Sequence, residues 1–146
     1  MANYSTDLDL VEIIPTIMNM GDSSYTVFHT QAKDDVDRIL RAQWYPNEAA
    51  DRGIDTSTTY FDADNLDAAE LQKLSAYKAL ELIFRSKVKP GPASDMYEKL
   101  MLLYRDYFTK ELDALMKGGI SYDWDEDGTI DEDEQYSPRK RRLKRT

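Results

Sequence analysis

Two apolar-striped segments separated by Lys89-Pro90-Gly91-Pro92 constrain this chain more than any other feature. In the first, Leu66, Ala69, Leu71, Leu74, Tyr77, Leu80, Ile83 and Phe84 recur at three- and four-residue steps, the spacing of one buried helix face. In the second, Met96, Leu100, Leu103, Tyr104, Tyr107, Phe108, Leu112 and Leu115 keep the same period. Pro90-Gly91-Pro92 cannot continue either helix, so the pair predicts an antiparallel hairpin from Asn65 to Met116. Asn65 reads as the N-cap of the first helix, and Ser94 and Asp95 precede the second, with Glu98 placed to answer Asp95. The fold expected is all-α: a small helical bundle on a long helical hairpin, with a long inter-helix loop and an extended C-terminal arm.

A chain of 146 residues suits one domain with a real core. The organisation expected is a helical bundle over 1–119, an acidic loop over 120–136 and a basic tail over 137–146. The absence of cysteine excludes disulfide staples, thiolate metal sites and cysteine nucleophiles. No run approaches the roughly 18 apolar residues of a membrane span, and Met1-Ala2-Asn3-Tyr4 lacks the order of a signal peptide, so a soluble, unexported protein without a membrane partner is expected. The net charge of -9 argues against a nucleic-acid binder as a whole.

Thr6-Asp7-Leu8-Asp9 is a capping-box pattern ahead of Leu10, Val11, Ile13 and Ile14, so a first helix begins near Asp7 and is bounded by Pro15. Gly21-Asp22-Ser23-Ser24 breaks the chain. Phe28, Ala32, Val36, Ile39, Leu40 and Trp44 then mark a second helix ending before Pro46. Its other face, Lys33, Asp34, Asp37, Arg38 and Arg41, reads as solvated or as a subunit contact. His29 has no cysteine or second histidine for company and reads as an ordinary surface or half-buried residue. From Pro46 to Asp64 runs a long connection, either mobile or used for binding, in which Thr56 to Phe61 could extend along a neighbour. Tyr60 and Phe61 make it a candidate partner contact, since exposed aromatics in a polar loop need cover.

The sharpest motif follows the hairpin. The twelve residues from Asp123 to Glu134 match the EF-hand calcium loop at every diagnostic position. A hard cation takes about seven oxygens: carboxylates from Asp123, Asp125 and Asp127, the Thr129 carbonyl, Asp131 directly or through water, and two oxygens from Glu134. Gly128 allows the sharp turn and Ile130 is the apolar anchor. Gly118-Gly119 interrupts the incoming helix, Pro138 limits the outgoing one, and no second loop is present. A solitary structural clip for Ca2+ is expected, with an acidic solvated linker as the alternative. Beyond it, Arg139, Lys140, Arg141, Arg142, Leu143, Lys144 and Arg145 form a basic run suited to an acidic partner. Nuclear localisation, nucleic-acid contact, an acidic protein groove and the chain's own acidic loop all fit it.

The opening Thr6-Asp7-Leu8-Asp9-Leu10 helix, the helix with Ala32, Val36, Arg38 and Leu40, the Leu74-Ser75-Ala76-Tyr77-Lys78-Ala79-Leu80 segment and the final amphipathic helix resemble the head-to-tail adaptor (connector) proteins of tailed bacteriophages. The resemblance spans Ser5 to Lys117. It implies a structural virion protein of the neck, assembled from the host cytoplasm as a homo-oligomeric ring of about twelve copies between the portal protein and tail or neck proteins. Packaged DNA then passes through the lumen without sequence-specific binding, and an acidic body suits such a conduit. The acidic loop and basic tail depart from the general pattern; by position, Arg139 to Arg145 are expected at the portal. The alternative is a calcium-binding regulatory protein with a single EF-hand-type loop. Catalysis is not expected, because the chain has no nucleophile elbow, Gly-rich phosphate loop, zinc-binding pair or histidine-centred array.

Overall fold

The computed structural model describes residues 2–89, 91 and 95–135. Pro90, Pro92 and Ser94 of the expected turn, and the basic residues Arg139 to Arg145, lie outside the described residues. The helices are α1 (Asp7–Ile13), α2 (Thr26–Ile39), α3 (Tyr45–Asp51), α4 (Ala68–Lys87) and α5 (Asp95–Gly118). The chain is therefore all-α, as the apolar periodicity requires. Among the described residues the only β pairing is an isolated antiparallel bridge between Leu66 and Tyr122.

Helix α4 is the centre of the bundle, packed along α5 and also against α2 and α1. Its stripe explains this position, since Leu71, Leu74, Ala79, Leu80 and Ile83 are fully buried. Each large one contributes about 1.5–3 kcal/mol by leaving water. A buried acid crosses the hairpin beside them. Glu81 accepts hydrogen bonds from Lys78 Nζ at 2.7 Å and from Arg105 Nε on α5 at 2.8 Å.

Local signals placed some helix ends and missed others. Helix α1 starts where the capping box predicts, with the Thr6 N–H donating to the Asp9 carboxylate at 2.7 Å. Helix α4 starts later than expected. Its N-cap is Asp67, which accepts the Ala69 N–H at 3.1 Å, while Asn65 closes a 3-10 turn (Ala63–Asn65). Asp95 is the first residue of α5 rather than a residue preceding it.

The second helix does not stop before Pro46. A π turn over Leu40–Trp44, in which the Tyr45 N–H donates to the Leu40 carbonyl, carries α2 directly into α3. Pro46 sits in the first turn of α3, where its missing N–H leaves no gap in the ladder. Asn47 to Asp51 are consequently helical, and the expected long loop shortens to residues 52–62. Thr56 to Phe61 do not form an extended strand either. Asp55 folds this stretch back through its side chain to Ser57 N–H at 2.9 Å and its carbonyl to Thr59 N–H at 2.9 Å.

Three further expectations are corrected by packing. Lys33 and Asp37 are buried and ion-paired at 2.6 Å, because Tyr4 folds over that face of α2 and donates its hydroxyl to Asp37. His29 is 2% exposed, bonded to Ser5 Oγ at 2.7 Å and to Asp7 Oδ1 at 3.0 Å. On α5 only Tyr104 and Phe108 of the predicted stripe are buried, while Met96, Leu103 and Tyr107 remain exposed.

Candidate metal centre

The chain leaves α5 through Gly119, whose φ of +97° is the left-handed conformation that ends many helices, with its N–H on the Leu115 carbonyl at 2.9 Å. No incoming helix leads to the acidic loop. An extended stretch does, and every residue of it is tied to the bundle. Ile120 is buried, and Ser121 donates its N–H and hydroxyl to Glu70 at 2.9 and 2.8 Å. Tyr122 bridges to Leu66, its hydroxyl accepting the Asp62 N–H at 3.0 Å, and the Asp123 N–H donates to the Asn65 carbonyl at 2.8 Å. The sequence context that weakened the motif is thus replaced by a different mooring.

Within the loop, carboxylate oxygens of Asp123, Asp125, Asp127 and Glu134 lie within 4.8 Å of one another. Asp123 and Glu134 are buried, whereas Asp125 and Asp127 face water. Backbone N–H groups hold the ring of acids in shape. Asp123 accepts Gly128 N–H at 2.9 Å, and Glu134 accepts Asp125 and Asp131 N–H at 3.1 and 3.0 Å, together with that of Trp124. Gly128, with φ of +88°, makes the turn that aims its N–H at Asp123.

Crowding like charges raises their protonation energies. Asp125 is pushed up to about 6, first by loss of water around it, against the pull of the Asp127 N–H, and further by its hydrogen bond with Asp123 and the charges of Asp127 and Glu134. Asp131 is also raised, by desolvation and by the neighbouring acids. Asp127 is lowered, because Thr129 donates both N–H and hydroxyl to it at 2.9 and 3.0 Å. Four hard oxygen donors in a mutually repelling ring can hold a metal ion. Of the six residues predicted as ligands, the structure gathers these four carboxylates. Asp131 caps the short 3-10 turn Glu132–Glu134, and Thr129, whose carbonyl is the expected ligand, donates its N–H and hydroxyl to Asp127.

An aromatic cluster anchors the loop from the second residue onward. The Trp124 ring stacks on Tyr45 at 5.5 Å and 9°, and meets Trp44 at 5.6 Å and Tyr122 at 4.6 Å. The Arg52 guanidinium lies 4.8 Å from the Trp124 ring and donates to the Asp133 carbonyl at 3.1 Å. Sequence reasoning treated the loop as a module and missed Tyr45, Arg52, Asn65, Glu70 and Tyr122. The signal available was Tyr122 and Trp124 flanking Asp123, since two large rings at the start of an acidic stretch need an apolar seat.

The expected partner residues separate. Tyr60 is 74% exposed at the 52–62 loop. Phe61 is half-buried, edge-on to Tyr45 at 5.5 Å and stacked on Tyr122 at 6.0 Å, so its cover comes from this chain. The Asp7–His29–Ser5 array, extended to Ser75 at 3.3 Å, has the atoms of a hydrolytic triad, but Ser5 is 2% exposed and the array ties the N-terminal segment to α2 and α4. No described helix is long and apolar enough to cross a membrane. No family model, curated protein or solved structure matches this chain.

Proposed function

We propose that this chain is a structural adaptor of the head-to-tail connector type, assembled in the virion neck as a ring of about twelve copies between portal and tail or neck components, with DNA passing through the lumen. The observation that carries this reading is the mooring of the acidic loop. Residues 119–135 are fastened to the Leu40–Trp44 turn, α3 and α4, so the described chain ends at a set place on the bundle. A fixed departure point is what an arm reaching to a portal needs. Exposed Tyr60, on a neighbouring loop, supplies a second contact for a neck component.

In this reading the loop holds Ca2+ as a clip. A calcium shell with ligands at about 2.3–2.6 Å is about 4.6–5.2 Å across, so carboxylate oxygens gathered within 4.8 Å of one another fit around one such ion. The experiment is electron microscopy of the chain mixed with the portal protein of the same virus, with and without residues 137–146. A collar that forms only with the tail supports the reading; no collar with the full chain overturns it.

The same carboxylate ring keeps a second reading, a calcium-dependent regulatory protein, on the table. Calcium titration followed by Trp124 fluorescence and far-ultraviolet circular dichroism separates the two. A local change at Trp124 marks a clip, and a large change in helix exposure marks a regulator.

A further inference from the structure

Helix α5 carries two apolar tracks of coiled-coil spacing. Tyr97, Met101, Tyr104 and Phe108 follow steps of four, three and four, and pack into the core beside α4. Met96, Leu100, Leu103 and Tyr107 repeat the same steps one residue earlier, about 100° around the helix. Met96 is 59% exposed, and Leu103 and Tyr107 are each 40% exposed. A helix with two seams about a quarter-turn apart occupies the corner of a four-helix bundle, touching one neighbour along each seam. Helix α4 is one neighbour; along the second seam Leu100 still packs against the core and the Tyr107 ring lies 5.6 Å from Tyr77 on α4, which leaves Met96 and Leu103 as its uncovered part.

We propose that the second seam takes α5 of another copy of this chain, antiparallel, so that α4, α5 and their counterparts form an intermolecular four-helix bundle. Charge selects both the occupant and the direction. Two copies of a -9 chain repel as wholes, yet residues 96–117 carry four acidic and four basic side chains and so are neutral. The margin of the seam bears Lys99 and Asp106, seven residues apart. With Leu100 opposite Leu103 of the other copy, Met96 falls opposite Tyr107, and Lys99 lies alongside Asp106 of the other copy. The dyad makes that attraction twice. A parallel, in-register pair would instead set Asp106 beside Glu111 of the other copy, acid against acid, also twice. The pairing concerns the free chain and does not depend on the connector reading.

Sedimentation velocity over a concentration series tests it. The wild type is expected to show a reversible monomer–dimer equilibrium, and Leu103→Glu to remain monomeric with unchanged helix content. Lys99→Asp is expected to weaken the dimer by about tenfold, by turning two attractions into two repulsions, and Lys99→Asp with Asp106→Lys to regain most of the loss. The chain has no cysteine, so Met96→Cys and Tyr107→Cys provide clean cross-linking partners. Disulfide formation between the two variants, and not of Met96→Cys with itself, supports the antiparallel register. A wild type that stays monomeric to about 1 mM, a failure of the charge exchange to restore pairing, or self-linking of Met96→Cys overturns it.

Discussion

Removing the Trp124 ring tests whether the acidic loop belongs to the folded body. Trp124 is half-buried and touches three aromatic rings at 4.6 to 5.6 Å, with the Arg52 guanidinium over its face. Truncating a buried tryptophan to alanine costs about 3–5 kcal/mol. Because part of the ring meets water, the lower end applies, and Trp124→Ala is expected to destabilise the protein by about 3 kcal/mol. For a domain of this size unfolded by urea, with a slope of about 2 kcal/mol per molar, the midpoint falls by about 1.5 M. The assay is urea denaturation followed by circular dichroism in chelator, so that no cation contributes. Trp124→Phe keeps a ring against Tyr45 and should lose about half as much. A solvated linker would behave differently: a surface substitution stays within about 0.5 kcal/mol. A midpoint shift of under about 0.25 M would therefore refute the docked-loop account.

Glu81 gives an acid-sensitivity prediction. Burial opposes its charge, but the hydrogen bonds and charges of Lys78 and Arg105 hold its carboxyl below the ordinary value. A depressed folded value means stabilisation that is complete above the unfolded value of 4.5 and lost as pH falls below it. Glu81→Gln should cost about 2 kcal/mol at neutral pH, less than a fully buried pair because Arg105 can rehydrate, and should flatten the pH dependence of thermal melts in that acid range. Cation affinity, measured by calorimetry, should weaken as pH falls through about 6, where Asp125 takes up its proton in the cation-free loop. Glu134→Gln should raise the Kd for calcium at least about tenfold by removing one of the four charged ligands. Gly128→Ala forces a side chain into the left-handed region at φ +88° and should destabilise the loop by about 1–2 kcal/mol, visible as a Trp124 emission change.

The apolar periodicity made α4 and α5 legible, because Leu71 to Phe84 alternate buried and exposed at helical spacing whatever surrounds them. Capping chemistry placed the start of α1 for the same local reason. What stayed hidden was long-range. Lys33 and Asp37 read as solvated until Tyr4, distant in sequence, lies across them. Met96, Leu103 and Tyr107 read as core although one neighbouring helix cannot cover two seams. The ligand spacing from Asp123 to Glu134 was readable because the carboxylates belong to one short turn, and four of them do converge. The mooring was not, since it uses a backbone carbonyl at Asn65, a carboxylate at Glu70 and a ring at Tyr45, none bearing a local motif.

The wide turn from Leu40 to Trp44 makes the bond between α3 and the acidic loop a matter of counting. Such a turn accommodates one residue more than an α turn. Straightening it into ordinary α register with all five residues kept would swing everything beyond it by about 100°. Tyr45 would then point away from Trp124, and Arg52 would lose its reach to the Asp133 carbonyl, although each of those side chains would still be present. The width of this turn, more than any one side chain in it, is therefore what keeps the two halves of the molecule in touch.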